Sequence, residues 1–132
     1  MNYMYSFKVY DMETEKFDPM AMPLDFLAGY YCAQRMKGKN LAFLFACIST
    51  GLKIKDQFIY DGDILAVYYD KQSPGCPEYL EVKMHNGCWM LGNRNLQLLN
   101  DMIEEWGDDI KVAGHILTHK HLLKNNESIS NN

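Results

Sequence analysis

The stretch from Glu78 to Gly92 constrains this chain more than any other. Leu80, Val82 and Met84 alternate there with Glu81, Lys83 and His85 up to Asn86-Gly87, and a period of two marks a strand with one buried face. Asn-Gly favours a type I′ turn, because both central residues take positive φ. With Asn86 and Gly87 as the loop, His85 faces Cys88, Met84 faces Trp89 and Val82 faces Leu91. One face is then apolar, and the other carries Glu81, Lys83, His85 and Cys88 with Met90 as the exception. A slip of one residue would bury Lys83, so the register is specified.

Other segments read as further strands. Tyr3, Tyr5, Phe7, Val9 and Tyr10 form one run, Asp11-Met12-Glu13-Thr14 interrupts it, and the pattern resumes near Phe17; this predicts an N-terminal hairpin. Pro19 and Pro23 punctuate the next stretch. Over Leu24 to Met36, Leu24, Leu27 and Tyr31 recur near helical spacing, although Gly29 weakens a helix there. Leu41 to Ile48 lacks polar alternation and predicts a strand covered on both faces rather than a short buried helix. Tyr60-Asp61-Gly62-Asp63 is a turn feeding the strand formers Ile64 to Tyr69, after which Pro74, Gly75 and Pro77 mark a loop over Lys71 to Pro77.

From Asn95 to Trp106 the period changes. Leu96, Leu99, Met102, Ile103 and Trp106 fall on one helical stripe, and Gly107 is a natural stop. Glu104 and Glu105 lie late in that helix, where its dipole does not favour them, so tertiary packing must hold it. Ile110 to Leu117 reads as a last strand, and residues 125–132 as a frayed polar end. The expected fold class is mainly β, or α+β, with an N-terminal β-hairpin. A small open antiparallel barrel or SH3-like sheet is expected in the C-terminal part, with one amphipathic helix near residues 95–106.

With 132 residues, 48% hydrophobic and 23% charged, the chain has the composition of one globular domain. Its expected extent is 1–123, with a hairpin region at 1–48, a barrel-like part at 49–123 and a tail at 124–132. Thirteen basic against seventeen acidic residues give a net charge of −4, which argues against a nucleic-acid partner. The two short basic clusters, Lys37-Gly38-Lys39 and Lys53-Ile54-Lys55, do not outweigh it. Lys8, Asp11, Glu13, Glu15 and Lys16 break any leader-like apolar run. The longest apolar run, Leu41 to Ile48, falls short of the roughly twenty residues of a membrane span. The expectation is a cytoplasmic protein with no membrane association. Cys32, Cys47, Cys76 and Cys88 form no C-x-x-C pair and read as free thiols.

Three segments, taken together, resemble the YopX family of small phage and prophage proteins. The first is Phe7 to Phe17, a strand with an aromatic, then Asp11, then a polar turn. The second and most specific is Ser49-Thr50-Gly51-Leu52-Lys53 followed by Ile59-Tyr60-Asp61-Gly62-Asp63-Ile64-Leu65, similar to the family's T-G-L-x-D…I-Y-x-G-D-I-V. The third is Val112-Ala113-Gly114-His115-Ile116 to Leu122-Leu123, similar to the family's V-I-G-N-I…L-L. Tyr10, Ile54 and His115 stand where the family tends to have Trp, Asp and Asn. The resemblance implies a β-rich fold with a small barrel-like C-terminal part, and it brings no activity, cofactor or substrate. The motif residues it picks out are Thr50, Gly51, Leu52, Ile59, Tyr60, Gly62, Asp63, Ile64, Gly114 and Ile116, all read as structural.

Candidate chemistry is sparse. Asp61 and Asp63, with Asp56 near, are a carboxylate pair in a turn sequence, without the bidentate Glu or spacing of a calcium loop. His115, His119 and His121 have a zinc-like string but on an extended segment spread along it, which reads as solvated histidines. His85 with Cys88 is a cross-strand pair with no third orienting group. Trp89, Trp106 and the tyrosines could stack bases, yet both Trp lie on core-facing positions. No catalytic, cofactor-binding or metal residue is assigned, and no cofactor is expected. The expected function is a non-enzymatic protein-interaction or self-associating module of phage type. The alternatives are a nucleic-acid-binding small barrel and, last, a metal- or carboxylate-dependent hydrolase.

Overall fold

A computed structural model of the chain describes residues 6–69 and 76–123. Tyr3 and Tyr5 of the first run, most of the 71–77 loop and the tail at 124–132 lie outside those residues. The fold is mainly β and antiparallel. Strands β1 (Ser6–Asp11), β2 (Lys16–Phe17) and β3 (Met22–Pro23) precede helix α1 (Leu24–Met36). After a 3-10 turn at Leu41–Phe43 come β4 (Leu44–Ile54), β5 (Gln57–Tyr60), β6 (Asp63–Val67), β7 (Glu78–His85), β8 (Cys88–Leu91) and β9 (Gln97–Leu98). Helix α2 (Leu99–Trp106), a second 3-10 turn and β10 (Ile110–His115) complete the order.

Two sheets result. In the first, β2-β1-β4-β5 lie in that order with β3 also on β1; in the second, the order is β10-β6-β7-β8-β9. The predicted hairpin forms with the predicted register, Val82 opposite Leu91, Met84 opposite Trp89 and His85 opposite Cys88, and Asn86 and Gly87 take φ of 51° and 80°. The N-terminal hairpin also forms, with Tyr10 opposite Phe17. It is tied to the segment after α1 by Lys39 Nζ at 2.6 Å from Asp11 Oδ2. That ion pair holds the Asp11 carboxyl below its ordinary range and the Lys39 ammonium above its own.

Alternation gives the first sheet two different faces. Val9, Met22 and Leu44 point toward α1 and form a small core with Leu27, Tyr30, Tyr31 and Leu41. The opposite face carries Lys8 and, paired with it, Cys47; Ser6 and Tyr10 lie on the same side of β1 by the period of two. The main core lies on the second sheet and under α2, where Ile59 of β5 joins Leu65, Val67, Val82, Leu91, Leu99 and Ile110. Strand β4 joins the two cores: past an irregularity between Ser49 and Lys53, Leu52 and Ile54 enter the main core.

Four readings change at the level of tertiary packing. Helix α2 begins at Leu99, because Gln97–Leu98 pair with β8, although its stripe of Leu99, Met102, Ile103 and Trp106 faces the core as expected. A full helix forms over Leu24–Met36 despite Gly29. The run Leu41 to Ile48 opens as a 3-10 turn, and Phe43 and Phe45 are exposed because no layer of the described residues covers them. Last, β10 ends at His115, where the chain turns, so His115, His119 and His121 do not share one strand.

Candidate functional site

The motif residues, distant in sequence, meet at one turn. Gly62 has a φ of +87°, and its surroundings are bonded from several directions. The Gly62 N–H donates to Val82 O at 2.9 Å, Asp61 N–H to Ile48 O at 2.9 Å, and Ile116 N–H to Gly62 O at 2.8 Å. Asp63 Oδ2 accepts from Tyr60 N–H at 2.7 Å, closing the turn from inside. Thr50 Oγ1 donates to Ile59 O at 2.9 Å and accepts from Leu52 N–H, while Ser49 Oγ accepts from Gly51 N–H. These bonds stabilise the irregular stretch of β4, where Gly51 takes a φ of +81°. Ile59 and Ile64 are fully buried beside them.

A bulge brings His115 into this knot. Val112 pairs with Leu65, but Gly114 pairs with Ile64 and His115 with Asp63, so one residue is skipped. The His115 side chain is 5% exposed, which corrects its reading as a solvated histidine. Leu117 N–H donates to Nδ1 at 3.1 Å, so Nε2 carries the proton and donates to Asp61 O at 2.8 Å. Both ring nitrogens are thereby engaged and the imidazole is neutral. Burial holds its pKa below the ordinary histidine value, with the Asp61 bond opposing. Phe17 of the N-terminal hairpin packs edge-on against the ring at 4.9 Å. Gly114 is required because a Cβ there would meet the His119 ring at 2.4 Å.

Polar groups from the first sheet face the same turn. Lys8 Nζ lies 4.6 Å from the centre of the Tyr60 ring, and Ser6 Oγ and Tyr60 Oη share a hydrogen bond of 2.6 Å. Lys8 is paired with Cys47 across β1 and β4. Burial, helped by the carboxylates of Asp61 and Asp63, pushes the Cys47 thiol up to about 11, so it is a thiol and not a nucleophile at neutral pH. Asp63 is 2% exposed, and burial raises its carboxyl to about 6 against the pull of the Tyr60 N–H and Lys8. Burial also raises Asp61. Among the described residues no three His, Cys, Asp or Glu side chains converge as a metal shell requires.

Beyond Ser6 and Tyr60 the surface opens into a groove of about 910 Å³ between α1 and the end of β5. Met22, Phe26, Tyr30, Phe58 and Tyr60 line it, and its charged lining groups are the carboxylates Asp18 and Asp25. Burial and the nearby Asp18 carboxylate push the Tyr30 phenol up, so it stays protonated. The groove continues onto the outer face of α1. No residue of this helix is fully buried, and its exposed side carries Leu24, Phe26, Ala28, Cys32, Ala33 and Met36 with only Asp25 and Arg35 as charges. Leu24, Phe26 and Met36 are 64%, 70% and 88% exposed. A surface helix ordinarily turns polar residues to water, and this one does not.

Sequence reasoning missed this face, although the signal was present: only two charges occur between Leu24 and Met36. It also missed the opposition of Lys8 and Cys47, which no local pattern encodes. The other candidates fall elsewhere. His85 and Cys88 are paired on the exposed end of the hairpin. Trp89 and Trp106 pack against the main core, with Tyr69 edge-on to Trp106 at 4.9 Å. Among the described residues no helix is long and apolar enough to cross a membrane. No family model, curated protein or solved structure matches the chain.

Proposed function

We propose that the protein is a non-enzymatic interaction module that docks another protein chain on the outer face of α1 and the adjoining groove. The observation that carries this reading is the exposure of Leu24, Phe26 and Met36 on one helix that presents almost no charge to water. A continuous apolar surface of that kind is costly to leave hydrated and is the usual mark of a binding face. The polar groups best placed for chemistry support the same reading, since His115 has both nitrogens engaged and Cys47 is held as a thiol. The Asp18 and Asp25 carboxylates at the groove disfavour a phosphate backbone as its occupant. The resemblance of the Thr50–Ile64 and Gly114–Ile116 motifs to the YopX family supports a phage- or prophage-type protein acting in a host cytoplasm.

Photo-crosslinking in cells that make the protein tests this. A photoreactive residue replacing Ala33 on α1 is expected to yield a discrete protein adduct, and the same residue replacing the exposed Glu105 on α2 is not. Absence of any adduct from position 33, or equal labelling from both positions, would remove the reading.

A further inference from the structure

The two charges on the outer face of α1 have opposite signs and occupy opposite ends. Asp25 is in the first turn and Arg35 in the last, with Asp18 before the helix and Lys37 just after it. Among the described residues none of Asp25, Arg35 and Lys37 takes part in an ion pair. Asp25 and Arg35 are equidistant from Tyr30, and so are Leu24 and Met36. At a rise of about 1.5 Å per residue the two charges are roughly 15 Å apart along the axis.

That arrangement is its own complement under one operation. If two α1 helices cross antiparallel near residue 30, Asp25 of one copy lies opposite Arg35 of the other and Leu24 opposite Met36, twice over by symmetry. A parallel pair would set Asp25 against Asp25 and Arg35 against Arg35, which repels at both ends. We infer that the occupant of the α1 face is a second copy of this chain, bound through that outer face as an antiparallel helix pair about a two-fold axis at the level of residue 30 along the helix. This inference rests on the reading of that face as a docking surface and names its partner. One helix face lies at the small end of protein interfaces, so the dimer is a dissociable one.

The charge placement also suits the dipole of a single helix, and a reversal series separates the two explanations. Sedimentation equilibrium of the full chain is expected to show a mass rising with concentration from 15.3 kDa toward twice that value. Asp25→Lys and Arg35→Glu should each weaken the dimer about tenfold, because each places two like-charged pairs across the axis. Asp25→Lys with Arg35→Glu in one chain should restore it to within about twofold, although that double variant opposes the helix dipole. With Cys76→Ser and Cys88→Ser, a short bis-maleimide should join Cys32 to Cys32. Far-UV dichroism confirms that each variant stays folded. A strict monomer at all concentrations, or a dimer indifferent to these charges, overturns the inference. The adduct at position 33 then decides the wider reading: an adduct with a different protein leaves the docking face standing without self-association, and no adduct removes both.

Discussion

The His115 ring occupies the space that a side chain on Gly62 would need: a Cβ on Gly62 would stand 2.7 Å from His115 Cε1 and Nε2. Gly62 also has a φ of +87°. One glycine therefore admits both the left-handed turn and the histidine that closes it, and strands β4, β5, β6, β7 and β10 meet around that contact.

Gly62→Ala is expected to cost about 2 to 4 kcal/mol, combining backbone strain with the forced displacement of a buried ring. Urea denaturation of the single variant, and of Gly62→Ala with His115→Ala, measures it. The two changes should be non-additive, since removing the ring relieves the clash. Simple additivity would mean that the two residues do not touch.

Asp63 should make the fold less stable as pH rises through about 6. Its folded pKa lies above the unfolded value, so its favourable contribution is complete below the unfolded pKa and lost on ionisation in the folded state. Asp63→Asn keeps an oxygen for the Tyr60 N–H and removes the buried charge. The variant is expected to be more stable than the parent at pH 7.5, by on the order of 2 to 3 kcal/mol, and equal to it near pH 4. Denaturant midpoints at the two pH values check this.

His115 acts in the opposite direction. Its folded pKa is depressed by burial, so its contribution is complete above the unfolded histidine value and is lost as pH falls through the lower folded one. The ring protons of His115 in NMR titration should show a midpoint below the ordinary histidine value. The stability difference between the parent and His115→Gln should shrink between pH 7 and pH 5.

Thiol labelling in the native state should modify Cys32, Cys76 and Cys88, which are exposed, and leave Cys47 untouched. With its thiol pushed up to about 11, Cys47 has little thiolate at pH 8 as well as little access. Peptide mapping after a pulse of maleimide reads the four sites separately. Labelling of Cys47 at a rate comparable to Cys88 would contradict the packing of β4 against the turn.

Local elements are legible in the order of residues. The Val82–Leu91 register comes from alternation on either side of Asn86-Gly87, and the Leu99–Trp106 stripe from a period of 3.6. The turn at Tyr60 to Asp63 declares itself through its own residues. In each case the pattern and its consequence lie within a few positions of one another. What those elements meet is set only when the chain is assembled. The bond from His115 to the Asp61 carbonyl spans 54 positions; Gly114 can mark the bulge in β10, but no local pattern says which distant turn that bulge aims His115 at. The outer face of α1 stays uncovered for a related reason: helical spacing identifies which residues could be buried, but only the assembled sheets show that just Leu27, Tyr30 and Tyr31 find a core. Local preferences act through bonds within one segment, whereas burial depends on which distant segments reach the same place.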